Sequence, residues 1–158
     1  MTEIRFIAMP TEDVQALQAG KPDANGQMPE RHVAEGDGNL CRHCLSEIAD
    51  GDPMLIVAYR PFPEAQPYAE VGPIFLHAEG CPRHAETAEP PRLFLDHRER
   101  MLVRGYKADD RIKYGTGQVV PTRELADACA AIFDDPEVAY LHIRSAANNC
   151  YQCRVDKA

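Results

Sequence analysis

A chain of 158 residues is about the length of one domain, long enough to bury a core without help from disulfides. Its 44% hydrophobic content is that of an ordinary globular protein, and no apolar run approaches the roughly 18 residues of a membrane span, which argues against an integral membrane protein. A net charge of −8 disfavours nucleic acid as a partner, because a polyanion is bound through a basic face that displaces counterions, and it fits a role in solubility.

The N-terminus, Met1-Thr-Glu-Ile-Arg-Phe6, has no basic region followed by an apolar core, so the expected compartment is the cytoplasm. Six cysteines there read as metal ligands, reactive thiols or buried small hydrophobes rather than as three disulfides. Alternation from Glu3 to Met9 predicts a first strand, which Pro10 ends. Thr11 is placed to cap a helix over 11–19, with Glu12 and Asp13 in its first turn and Gly20 as its stop. Residues 20–40 are rich in Gly, Pro, Asp and Asn without apolar period and predict an irregular arm.

Cys41-Arg42-His43-Cys44 follows, then turn chemistry at 48–53, a buried strand from Met54 to Tyr59, a proline-rich surface crossing over 61–70, and a short strand Gly72-Pro-Ile-Phe-Leu-His77. Residues 85–100 read as polar, with a helical turn near Asp96. Met101–Tyr106 and Arg111–Tyr114 flank Ala-Asp-Asp as in a hairpin. A helix over 122–134 carries Leu125, Cys129, Ile132 and Phe133 on one stripe, and two strands, Val138–Arg144 and Cys150–Val155, end the chain. This order predicts one α+β domain over 1–158, with a mixed or mostly antiparallel sheet, two main helices and an irregular N-terminal arm.

Two thiols separated by two residues can be presented by a single turn, and His77-Ala-Glu-Gly-Cys81-Pro-Arg-His84 adds imidazole, thiol and imidazole at the end of the next strand. Sequential strands are often neighbours, which would bring both clusters to one place. Cys41, Cys44 and Cys81, with His77 or His84 as the fourth ligand, therefore predict a zinc site. Four protein ligands would close the shell, as in a structural site rather than a hydrolytic one. A second reading takes Cys41-x-His43 with Cys81-x-x-His84 as the ligands of a Rieske-type iron–sulfur cluster, which would make the protein an electron carrier.

Cys41-Arg-His-Cys-Leu45, Pro67-Tyr68, Gly72-Pro-Ile-Phe-Leu-His77 with Cys81, Val103-Arg-Gly-Tyr106, Asp135-Pro-Glu-Val-Ala-Tyr-Leu-His-Ile-Arg144 and Cys150-Tyr-Gln-Cys-Arg-Val-Asp156 together resemble the bacterial domain of unknown function 1203 family over about residues 40–157. The resemblance implies a fold and a set of positions, and no activity. It favours His77 over His84 as the ligand, since His77 belongs to a stretch that carries the likeness.

Thiol–disulfide exchange is disfavoured, because neither Cys41/Cys44 nor Cys150/Cys153 opens a helix and residues three apart on a strand face opposite ways. Strand parity instead aligns Tyr140, His142 and Arg144 with Cys150, Gln152 and Arg154, and Arg104 with Tyr106. A solvated outer sheet face is the plain expectation. The alternative is an enzyme pocket for a small anion, built from His142, Arg144, Cys150, Arg104 and Tyr106. No Ser-His-Asp set, phosphate loop or dinucleotide fingerprint is present. The sequence thus predicts a small zinc-binding domain that binds or scaffolds an unknown small molecule or protein.

Overall fold

The computed structural model describes residues 2–158. In chain order the elements are β1 (Ile4–Ile7), α1 (Thr11–Gln18), β2 (Glu30–Val33), β3 (Pro53–Tyr59), β4 (Gly72–His77), α2 (Arg92–His97), β5 (Arg100–Tyr106), β6 (Gln118–Pro121), a 3₁₀ turn (Thr122–Glu124), α3 (Leu125–Ile132), β7 (Tyr140–Ser145) and β8 (Tyr151–Lys157). Short helices with two sheets of antiparallel strands make the class α+β, as the sequence predicts. The chain divides into two compact units, one of residues 2–7, 66–69 and 85–158, the other of residues 8–65 and 70–84.

The first unit holds a five-stranded sheet in the order β1-β8-β7-β5-β6. Residues two apart on a strand share a face, and here Ile4 and Phe6, Met101 and Val103, Leu141 and Ile143, and Cys153 and Val155 are all buried. The register lays Phe6, Val155 and Leu141 in one row across the strands, and Cys153, Ile143 and Val103 in another. The helix α3 buries Leu125, Cys129 and Ile132 and packs against β1 and β5. Gly105 is required by a close approach: a Cβ there would meet Thr116 Oγ1 and Val138 Cγ1 at 3.2 Å, while its N–H donates to Thr116 Oγ1.

Arg111–Tyr114 folds back on the end of β5 as a short hairpin: Ile112 bridges Tyr106, and Lys107 N–H donates to Arg111 O and Lys113 N–H to Gly105 O, each at 2.9 Å, while β6 takes the longer pairing with residues 100–103. The chain turns through Asp110 at φ 65° and Gly115 at φ 95°, positions that break an extended run. The last helix is shorter than 122–134 because its first turn is 3₁₀.

The second unit holds a three-stranded antiparallel sheet, β2-β3-β4, beneath α1. Val14 and Leu17 of α1 share a core with Met9, Ile48, Met54, Leu55, Val57, Ile74 and Leu76. Cys41 lies inside this core, with Cys44 and Cys81 packed against it. The arm at 20–40 contains an unpredicted strand, β2. All four of its residues are exposed, so it has no buried alternation and is held by main-chain pairing to β3. Asp23 ties the preceding turn to the sheet, accepting from Asn25 and Gln27 N–H through Oδ1 and from Ala58 N–H through Oδ2.

A candidate metal centre

The first thiol pair sits at the tip of a small hairpin. Leu40 bridges Glu47, Cys41 N–H donates to Ser46 O at 3.0 Å, and Ile48 N–H donates to Asn39 O at 2.8 Å. Leu45 N–H turns back to Cys41 O at 2.9 Å, which places Leu45 at φ 52°, in the left-handed region that suits glycine. Burial of the leucine, 2% exposed, opposes that strain. Arg42 N–H donates to Phe75 O at 3.1 Å and Cys41 pairs parallel with Phe75, so the hairpin lies along β4 and its tip reaches His77 at the end of that strand.

The ligand atoms of Cys41, Cys44, His77 and Cys81 all fall within 4.8 Å of one another. Cys41 Sγ is 3.9 Å from Cys81 Sγ, and Cys44 Sγ is 3.5 Å from His77 Nδ1. A tetrahedral zinc with Zn–S near 2.3 Å and Zn–N near 2.0–2.1 Å has S···S edges of about 3.8 Å and S···N edges of about 3.6 Å. The two measured separations share no atom, so around a single ion they would be opposite edges of its tetrahedron. Cys41 is wholly buried, and the other three are partly exposed.

Three thiols this close cannot all ionise without a cation. The thiol of Cys41 is held below its ordinary pKa. A hydrogen bond from the Cys44 thiol lowers it most, burial opposes, and N–H groups of Cys44, His77 and His43 assist. Cys44 is pushed up by its bond to Cys41 and by burial, and Cys81 is raised to about 11 by burial and the Cys41 charge. A divalent ion would replace this competition by stabilising all three thiolates.

His84 stands outside the four-residue cluster; its N–H donates to His43 O at 2.9 Å, and its Nδ1 is buried without a hydrogen-bond partner. His43, which the iron–sulfur reading needs together with His84, also stands outside. Its Nδ1 lies 3.2 Å from Cys81 Sγ and its Nε2 2.9 Å from Thr11 Oγ1. Thr11 does not cap α1 as the sequence suggests. The helix starts after Pro10 with no side-chain cap, and the Thr11 hydroxyl engages His43 instead. Spacings of 32 and 38 residues within this row leave no local signal in the sequence.

The C-terminal polar row is buried rather than solvated: Tyr106 is 0% exposed, His142 1% and Arg144 5%. Arg104, His142 and Arg154 lie side by side across β5, β7 and β8. The rings of Tyr106, Tyr140 and Tyr151 pack within 4.7–5.2 Å of the imidazole. Burial, then Arg144, Arg154 and Arg104, hold His142 well below its ordinary pKa, so it is neutral. Arg104 donates to Tyr106 Oη at 2.8 Å, and Arg144 donates to Asn149 O at 3.0 Å. A register shift between Ile143 and Arg144 sets Tyr151 opposite Arg144, which turns Tyr151 onto the His142 side. That bulge breaks the parity argument at Cys150, which sits in the turn with its Sγ towards Asn148 O at 3.8 Å. All six cysteines are free.

Among the described residues no helix is long and apolar enough to cross a membrane. A family described as Protein of unknown function (DUF1203) matches residues 38–157. No curated protein matches the chain, and no solved structure does.

Proposed function

The chain belongs to this family of unknown function, DUF1203, and on that premise we propose that it is a zinc-holding domain whose metal is structural and orders the hairpin of Cys41 and Cys44. Cys41, Cys44, His77 and Cys81 are the ligands. What carries the reading is the pair of opposite edges, 3.9 Å and 3.5 Å, that fit one tetrahedron of three sulfurs and a nitrogen. Four protein ligands leave no position for a water, so the ion braces the fold and activates nothing. The domain then serves to bind or scaffold another molecule. Replacing zinc by cobalt(II) tests the ligand set: a four-coordinate site with three thiolates gives strong visible ligand-field bands and thiolate charge-transfer bands. A pale, six-coordinate cobalt spectrum would refute it.

A further inference from the structure

Helix α1 is fastened to the ligand loops at both ends. Thr11, its first residue, meets His43 Nε2 at 2.9 Å, and His43 Nδ1 meets Cys81 Sγ at 3.2 Å. Gln18, its last residue, donates through Nε2 to the carbonyl oxygens of His77 at 2.9 Å and Glu79 at 3.0 Å. His43 is only 3% exposed, so protein groups rather than bulk water face its ring nitrogens.

A thiolate bound to a metal can only accept, so Nδ1 must carry the imidazole proton towards Cys81. Nε2 is then an acceptor, and the Thr11 hydroxyl donates to it. One tautomer and one hydroxyl orientation satisfy the whole row. The helix has no side-chain N-cap, although Thr11 stands at its start, so this hydroxyl serves the ligand loop instead of the helix. Gln18 restrains the same loop from its other side, through the carbonyl of one ligand residue and that of Glu79, two residues before Cys81.

We propose that α1 is the outer support of the metal centre, with His43, Thr11 and Gln18 as positioning residues that hold Cys81 and the loop from His77 to Cys81 in the ligating geometry. This rests on the zinc reading above. Groups that orient ligands from outside the coordination shell typically contribute about 10- to 100-fold to metal affinity. The order of α1 should in turn depend on the metal.

The test compares the full chain with Thr11→Val, Thr11→Ser and Gln18→Leu, measuring zinc affinity by competition with a chromophoric chelator and amide exchange of residues 11–18 with and without zinc. The expected result is a loss of about 10- to 100-fold for Thr11→Val and for Gln18→Leu. Thr11→Ser should keep the wild-type affinity, because it restores the hydroxyl, and zinc should slow exchange in α1 of the wild type more than in Thr11→Val. Zinc bound as tightly by Thr11→Val and Gln18→Leu as by the wild type would overturn the support while leaving the metal site standing. Equal losses in Thr11→Val and Thr11→Ser would also overturn it, since they would reflect the helix and not the hydroxyl. A wild-type chain that takes up no zinc would remove both readings together.

Discussion

Leu45 stores backbone strain that burial holds in place, and two pairs of substitutions separate the two effects. At Leu45, 2% exposed and at φ 52°, truncation to Ala keeps the strained backbone and opens a cavity, costing about 3 kcal/mol. Going on to Gly loses one more carbon, about 0.8 kcal/mol, and adds chain entropy to the unfolded state, about 0.5–1 kcal/mol. Against this, Gly relieves the left-handed strain, about 1–2 kcal/mol. Leu45→Gly and Leu45→Ala should therefore fall within about 1 kcal/mol of each other. Leu40, equally buried in the same hairpin and without a positive φ, is the control. There Gly should be worse than Ala by about 1–2 kcal/mol. Urea unfolding of the four variants at one saturating zinc concentration measures the differences with the hairpin ordered and the contribution from metal held constant. A Gly penalty at Leu45 as large as that at Leu40 would refute the claim that strain resides in the hairpin.

Gly105→Ala should destabilise by about 1–3 kcal/mol in urea unfolding, because the new carbon meets Thr116 and Val138 at 3.2 Å. Burial raises the Cys129 thiol to about 12, so it should resist alkylation at pH 8 in the native state and react once the chain unfolds. The folded value lies above that of the unfolded chain, so the stability it supports is complete below about pH 8.5 and is lost as the pH rises towards 12. The wild type should lose more stability over that window than Cys129→Ala. Asp23 runs the other way. Burial raises its carboxyl, but N–H bonds from Ala58, Gln27 and Asn25 outweigh it and hold the pKa low. Its contribution is present above about pH 3.9 and fades below, and acid unfolding of Asp23→Ala should show a shallower pH dependence than the wild type.

The α+β class, the order of the main strands and the ligand cluster were legible because each has a local signature. Buried alternation marks β1 and β5, alternation of polar and apolar residue types marks β7 and β8 although both of their faces are largely buried, and the Cys41/Cys44 spacing with His77 at a strand end marks the four-residue cluster. What escaped has none. β2 is an exposed edge held by main-chain bonds, and a strand with no buried face shows no pattern. The bulge beside Arg144 shifts a single residue, yet it reverses the side on which Tyr151 stands and removes Cys150 from the row. The bonds of Thr11 and Gln18 to the ligand loops join residues 32 to 61 apart, and local preference would place Thr11 at the helix cap.

The central claim is that Cys41, Cys44, His77 and Cys81 hold one ion. Elemental analysis of protein purified without added metal, for the wild type and for Cys44→Ser and Cys81→Ser, tests it most directly. The account predicts about one zinc per wild-type chain, as a single four-ligand site requires, and a loss of that zinc in both variants. A metal-free wild type, iron in place of zinc, or zinc retained in full by both variants would contradict it.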